Sequence, residues 1–361
     1  MKFNPLRLSV ARQRRLLNKK AFADLVGVTA HTVVRCEQGD TEPSEQTVAK
    51  FAEVLGFPVG FFYRQDVEVA DAELVSFRSQ RSMTAAERDA ALAAGAIGFE
   101  ISDWVEARFD LPGVAVPDLN LYEPEMAAVL IRQDWGLGEE PISNTVHLLE
   151  SKGVRVFSLA ENSKRVNAFS LWRQDKPYVF LNTMKTAENS RFDAAHELGH
   201  LVLHQDGQTT GRVAEDEANR FASAFLMPEG PVVRSLRRAY SVEQLIVAKR
   251  KWRVSLLALT VRLHRLGVLT DWRYRDFCIQ IRARYGDTEP EGVERERSVV
   301  WEKVMKTLWS ERVTQLDIAR ALDVPESEVS TLIFGILHSD NKSPPQGGGL
   351  SLVANSKRSS F

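Results

Sequence analysis

Cysteine is nearly absent. Only Cys36 and Cys278 occur among 361 residues, far apart in sequence. That excludes a disulfide framework and a cysteine-type zinc site, and it fits a reducing cytosol. Long apolar runs are missing too: no stretch approaches the roughly 20 residues of a membrane span, so no membrane contact is expected. Residues 1–17 alternate Arg and Lys with isolated apolar residues and lack the apolar core of a secretion signal, so the expected location is the cytoplasm. Net charge is lacking as well. The formal value of −1 rules out a globally basic nucleic-acid coat but leaves room for a local basic face. Hydrophobic residues, at 44%, are plentiful enough for two or three cored units at this length.

One stretch organises the rest. Phe192 to His204 reads as a helix, with Ser190 as its cap, Asp193 three residues on, and Gly207 where it should stop. At 3.6 residues per turn His196 and His200 stack on one face and can reach one metal ion. Glu197 lies beside them, close enough to take a proton from an attacking water without being a ligand. The bare H-E-x-x-H pattern arises by chance in roughly one chain in a hundred of this length, so a third ligand must decide. His204 is eight residues beyond His196, about 12 Å along a straight helix, and is too far. The next helix, Ala214 to Met227, ends at Pro228 and carries an apolar stripe of Ala218, Phe221, Ala222 and Phe225. Glu215 sits at the edge of that stripe and can face inward, whereas Glu217 points away by roughly half a turn. Asn219, at i+4 from Glu215, is placed to orient a ligating histidine. For stabilising a developing oxyanion, Tyr178, His204 and Arg191 are candidates by proximity only.

"RFDAAHELGHLVLH" followed by "EDEANRFASAFLMP" resembles the ImmA/IrrE family of bacterial metallopeptidase-like proteins. The preceding "KPYVFLN" resembles that family's strand ahead of its active-site helix. The family pattern falls on His196, Glu197, His200, Glu215 and Asn219. The resemblance implies a zincin-like fold, a zinc ion on His196, His200 and Glu215, and Glu197 as general base. It also implies a protein substrate of the Cro-like repressor or antitoxin kind, cut on a stress signal. A His/His/Glu set also accepts other divalent ions.

Residues 1–66 form an earlier unit. Its charges are one-sided as far as Ala23, and Leu6, Val10, Leu16 and Leu17 suggest an amphipathic first helix. Two short helices follow, Lys20 to Val26 and Thr29 to Gln38, with Gly27 at the turn between them; this is helix-turn-helix spacing. "KKAFADLVGVTAHTVVRCEQGDTEPSEQTVAKFAEVLGFP" resembles the XRE (Cro/repressor) type of DNA-binding domain. The resemblance implies a double-stranded operator, read by a homodimer, with Thr29, Ala30, His31, Thr32 and Arg35 on the recognition helix. Lys19, Lys20 and Arg15 are the implied phosphate contacts. Lys19 stands where the family often has Gln, and Cys36 where it often has Trp.

Residues 67–120 read as a helical linker. Its helix starts at a Thr84 and Glu87 capping box and carries a stripe of Ile97, Ile101, Trp104, Val105 and Phe109. The zinc unit spans 121–231, with short antiparallel strands expected near Val154 to Phe157, Ala168 to Trp172 and Tyr178 to Leu181; an edge strand there would bind an extended peptide. Residues 232–342 read as a helical C-terminal domain in which His264 is structural. Within it "TQLDIARALDVPESEVSTLIFGIL" repeats helix-turn-helix spacing, but Asp317, Asp323, Glu326 and Glu328 make a poor phosphate surface, so packing is expected of it. Residues 343–361 read as a disordered tail. The expected fold is mainly α, with an N-terminal helix-turn-helix bundle and an α+β zincin-like domain whose small sheet lies beside the H-E-x-x-H helix. The expected function is a DNA-binding regulator fused to a zinc endopeptidase that cuts a repressor, an antitoxin or itself. The competing expectation is a DNA-binding repressor or antitoxin whose zinc domain is a sensor or scaffold without turnover.

Overall fold

The computed structural model describes residues 2–71, 76–77, 83–159, 168–205, 207, 209–237, 241–286 and 288–337; the expected tail at 343–361 lies outside them. Four helices open the chain, each started by a side-chain cap: α1 (Pro5–Arg14) by Asn4, α2 (Lys19–Val26) by Asn18, α3 (Ala30–Gln38) by Thr29 and α4 (Glu45–Leu55) by Ser44. Gly27, at φ +79, turns α2 into α3. A 3-10 turn, Val59–Tyr63, closes the unit over a core of Phe22, Phe51, Phe61 and Phe62. The first helix stops at Arg14 rather than running on to Leu17. Leu16 adopts φ +56 and is exposed, because α2 has to fold back across α1.

Strand β1 (Ser76–Phe77) and the long helix α5 (Ala85–Glu106) follow, the latter starting at the expected Thr84 and Glu87 capping box. Helices α6 (Pro124–Asp134) and α7 (Thr145–Ser151) lead to strands β2 (Arg155–Leu159), β3 (Phe169–Arg173) and β4 (Lys176–Asn182). The sheet order is β1-β3-β4-β2. Strands β3 and β4 form a hairpin through Gln174 and Asp175, both at positive φ as a two-residue turn of matching twist requires. The sheet is not purely antiparallel. Strand β2 runs parallel to β4, because α7 delivers it to the far side of the hairpin.

Period-two alternation sends the two faces of the sheet to different helices. On one face Tyr178 gives its hydroxyl to Ser102 of α5, at 3.1 Å, and Phe180 lies so near Gly98 that a Cβ there would sit 2.8 Å from the ring. On the other face Ser170 and Trp172 reach α8 (Ala187–Leu203), through Glu197 and the Leu201 carbonyl. The described residues between 67 and 120 supply an edge strand and a helix, α5, whose alanines and glycines are buried along most of its length. That helix also holds the first unit: buried Arg7 of α1 makes a two-point ion pair with Glu100, at 2.5 and 3.3 Å.

After α9 (Gly211–Leu226) and α10 (Glu229–Ser235), helices α11 (Val242–Trp252), α12 (Leu256–Arg265) and α13 (Asp271–Tyr285) pack on one another, with α12 against α9. Lys249 of α11 is fully buried between Glu188, at 3.1 Å, and Glu289, at 3.0 Å. His264 is structural, as expected: it pairs with Asp271 and stacks on Tyr274. Helix α14 (Val299–Ser310) turns back over the sheet, its first N–H groups and its Ser298 cap held by the buried carboxylate of Glu150. Helix α15 (Gln315–Leu322) and α16 (Glu326–Val329), which runs on as a π-helical turn Ser330–Phe334, then return to the first unit. There Glu328 pairs with Arg14 at 2.7 Å and Arg15 at 2.6 Å, and Asp323 with Arg64 at 3.1 Å. The described residues from 232 onward thus reach both the α8 region, through Lys249, and the first unit, through Glu328 and Asp323.

Candidate metal centre and DNA-reading face

Helix α8 starts one turn earlier than its sequence suggests. Thr186 is the cap and accepts from the Asn189 N–H at 3.3 Å, while Ser190 lies inside the helix. The added turn buries Glu188, whose partner is Lys249 from a helix sixty residues downstream, a pairing no local signal announces. The helix ends at Leu203, with His204 as its C-terminal cap, short of Gly207.

His196 and His200 lie on the side of α8 that faces α9. Gly199 sets the distance between these helices: a Cβ at that position would be 3.1 Å from the Phe221 ring and 3.2 Å from the Ala218 Cα. A glycine inside a helix costs stability, and this one is explained by the crossing. The close approach brings Glu215 of α9 over the histidines. The Nε2 atoms of His196 and His200 are 3.0 Å apart, and the Glu215 carboxylate oxygens lie 3.6 and 3.5 Å from them. Tetrahedral ligands at zinc distances of about 2.0–2.1 Å are separated by about 3.3 Å, so the three donors fit one small divalent ion. Among the described residues this is the group of His, Cys, Asp or Glu donors close enough together to hold a metal. Burial works to raise the Glu215 carboxyl, but hydrogen bonds and charge from the two imidazoles outweigh it and hold it down at about 2. It is a carboxylate at any physiological pH.

Glu197 is buried beside this cluster. Its Oε2 accepts from the Ser170 hydroxyl at 2.7 Å. Ser170 went unnoticed in the sequence because a serine in a strand has no periodic signature of function; its face of the sheet is what aims it at α8. Asn219 does something other than its spacing suggested. Its amide donates at 2.7 Å to the backbone carbonyl of Glu215, one turn back on its own helix, so it braces the ligand-bearing turn. Glu217 is outside the three-donor cluster but is not idle: its carboxylate is 2.9 Å from Nε2 of His204. His204 in turn lies 2.9 Å from His200, through the Nδ1 atoms. Tyr178 points to the opposite face of the sheet, towards α5, and Arg191 is buried against Glu296 and the Ile142 carbonyl. Sequence proximity cannot tell one face of a strand from the other, and both of these oxyanion candidates engage other partners.

In the first unit Ala30, His31 and Arg35 are exposed on α3, with Thr32 half-buried beside them. The Thr29 hydroxyl caps α3, accepting from the Thr32 N–H at 3.1 Å, so its first duty is structural. Lys20 is exposed. Lys19 is 3.3 Å from Glu37, which also takes the buried Arg12 guanidinium at 2.5 Å. Arg15 is not available to phosphate: it is spent on Glu328, on the Leu55 carbonyl and on the face of Phe57. The outward face of α3 is open and polar, while α1, the opposite side of the unit, is covered.

Comparison with protein families agrees with this division. Residues 6–60 match a helix-turn-helix domain, and residues 149–264 match a peptidase family described as an IrrE N-terminal-like domain. The second match begins within α7 and runs through β2, β3, β4 and both site helices to α12. The chain is thus a helix-turn-helix DNA-binding unit joined to an IrrE/ImmA-like peptidase-family domain. A search of curated proteins found no match. No helix among the described residues is long and apolar enough to cross a membrane.

Proposed function

We propose that the chain is a transcription regulator that reads a double-stranded operator as a homodimer and carries a zinc-dependent endopeptidase. Its substrate is a repressor or antitoxin-like protein, or the chain itself, cut in response to a stress signal in the cytoplasm. The observation that carries this reading is the convergence of His196, His200 and Glu215, with the Glu197 carboxylate held beside them by Ser170. A bound zinc ion supplies Lewis acidity to a peptide carbonyl and to water. Glu197 takes the proton of the attacking water and passes it to the departing amine, which is why a carboxylate, rather than another ligand, stands next to His196. Ser170 holds one oxygen of that carboxylate, Oε2, in place.

One feature favours the chain's own polypeptide as substrate. An extended peptide would add to the outer edge of β3, the strand that bears Ser170. That edge is paired antiparallel with β1, in the register Ser76 opposite Ser170 and Phe77 opposite Phe169. Ser76 and Phe77 thus lie where a substrate strand belongs. A foreign substrate has to displace them; a self-cleaving chain does not.

The test is the mass of the purified chain after zinc loading, beside Glu197→Gln and Glu215→Ala. We expect about one zinc in the wild type and none retained by Glu215→Ala. Fragments cut between residues 67 and 84, or cleavage of a repressor supplied in trans, should appear with the wild type and be lost in Glu197→Gln. No metal in the wild type, or equal cleavage by wild type and Glu197→Gln, would overturn the peptidase reading. Bound zinc with neither protein cut would leave the sensor or scaffold reading in its place.

A further inference from the structure

We propose that His204 and Glu217 are positioning residues for the metal centre, acting in series on His200. This rests on the reading that His196, His200 and Glu215 hold a metal ion. The argument is one of proton accounting. A carboxylate only accepts hydrogen bonds, so the 2.9 Å contact from Glu217 to His204 requires a proton on Nε2 of His204. In a neutral imidazole the other nitrogen is then an acceptor. The 2.9 Å contact between the Nδ1 atoms of His204 and His200 therefore requires a proton on Nδ1 of His200. That leaves the lone pair of His200 on Nε2, the atom 3.0 Å from Nε2 of His196 and 3.5 Å from Glu215. With His204 neutral each step follows from the one before, and the line of 2.9 Å contacts from Glu217 through His204 to His200 ends with the lone pair aimed into the donor cluster.

The arrangement extends the i, i+4 ladder of α8 by one step. His196 and His200 share the centre, and His204, too far along the helix to join them, fixes the tautomer and ring angle of His200. The side chain of His204 is only 4% exposed, while that of Glu217 is 31% exposed. The anchor of the relay thus lies at the surface and its middle in the interior. Asn219, whose spacing suits it to this task, is occupied with the Glu215 carbonyl.

The experiment is competition for zinc between the full chain and a chromogenic chelator, paired with the visible absorption of the cobalt(II)-loaded protein. Glu217→Gln and His204→Phe should each weaken zinc binding about 10–100-fold and shift the cobalt band. Because the two residues act in series, the double variant should be no weaker than His204→Phe alone. Glu217→Gln, at the half-exposed end, keeps the fold if His204→Phe does not. Affinities within about twofold of wild type, with an unchanged cobalt band, would overturn the relay while leaving the metal centre standing. A wild type that takes up neither ion would remove the metal centre itself.

Discussion

Two segments of this chain carry the apolar spacing of a helix-turn-helix, residues 19–38 and residues 315–334, and the structure uses them in opposite ways. In the first, the turn is made by Gly27 and the second helix presents Ala30, His31 and Arg35 to solvent. In the second, the turn is made by Asp323 at φ +50, and the second helix buries Glu328, Val329, Leu332 and Ile333. Apolar spacing specifies how two helices cross, and both segments obey it. The charges on the outer face decide what the pair then meets. Cations leave the first pair open to a polyanion, whereas Glu328 draws the second pair onto Arg14 and Arg15 of the first unit.

If that contrast is right, the largest effect belongs to the joint between the two segments. Glu328→Ala removes the buried carboxylate shared by Arg14 and Arg15 and should cost about 3–5 kcal/mol in denaturant unfolding. A cost below about 1 kcal/mol would mean that the docking is held by apolar contacts alone. Next comes the open face. Arg35→Ala and His31→Ala should each lower operator affinity roughly tenfold, an effect within the 1–3 kcal/mol of a base contact, with stability unchanged to within about 0.5 kcal/mol. A stability loss without an affinity loss would make α3 a packing helix like α16.

Smaller still is the difference between two neighbouring lysines. Lys20→Ala should reduce the slope of log affinity against log salt by about 0.9, the value for one phosphate contact. Lys19→Ala should change it less, since Glu37 already holds that ammonium at 3.3 Å. Equal changes would show that the Glu37 pair opens on DNA. The smallest effect is expected from Asp323→Asn. It keeps a residue tolerant of the left-handed turn and removes only the half-exposed pair with Arg64, worth under about 1 kcal/mol in thermal unfolding.

The parts of the molecule that could be read from sequence are those written in local spacing. His196, Glu197 and His200 are four residues or fewer apart, and Glu215 was singled out by its place on the next helix; the structure gathers three of them into one donor cluster. What could not be read depends on which face of an element meets which neighbour. Tyr178 and Ser170 both lie near the site in sequence terms, yet the pleat sends one to α5 and the other to Glu197. Helix α5 buries Ile97, Ile101 and Val105 of its expected stripe, but it also buries Ala90, Ala91, Ala93, Ala94, Gly95, Ala96 and Gly98, small residues that let neighbours close in. Alanine reads as a helix former in sequence and gives no sign of that closeness. The two-residue strand β1 is too short to carry any periodic signal.

The ion pair between Arg14 and Glu328 joins residues 314 positions apart. Synthesis at about 5–20 residues per second leaves the first unit waiting roughly 15–60 s for its counter-charge to emerge. Over that interval Arg14 and Arg15 lack the carboxylate that the finished protein gives them. The first unit is joined to its last partner only when residue 328 arrives.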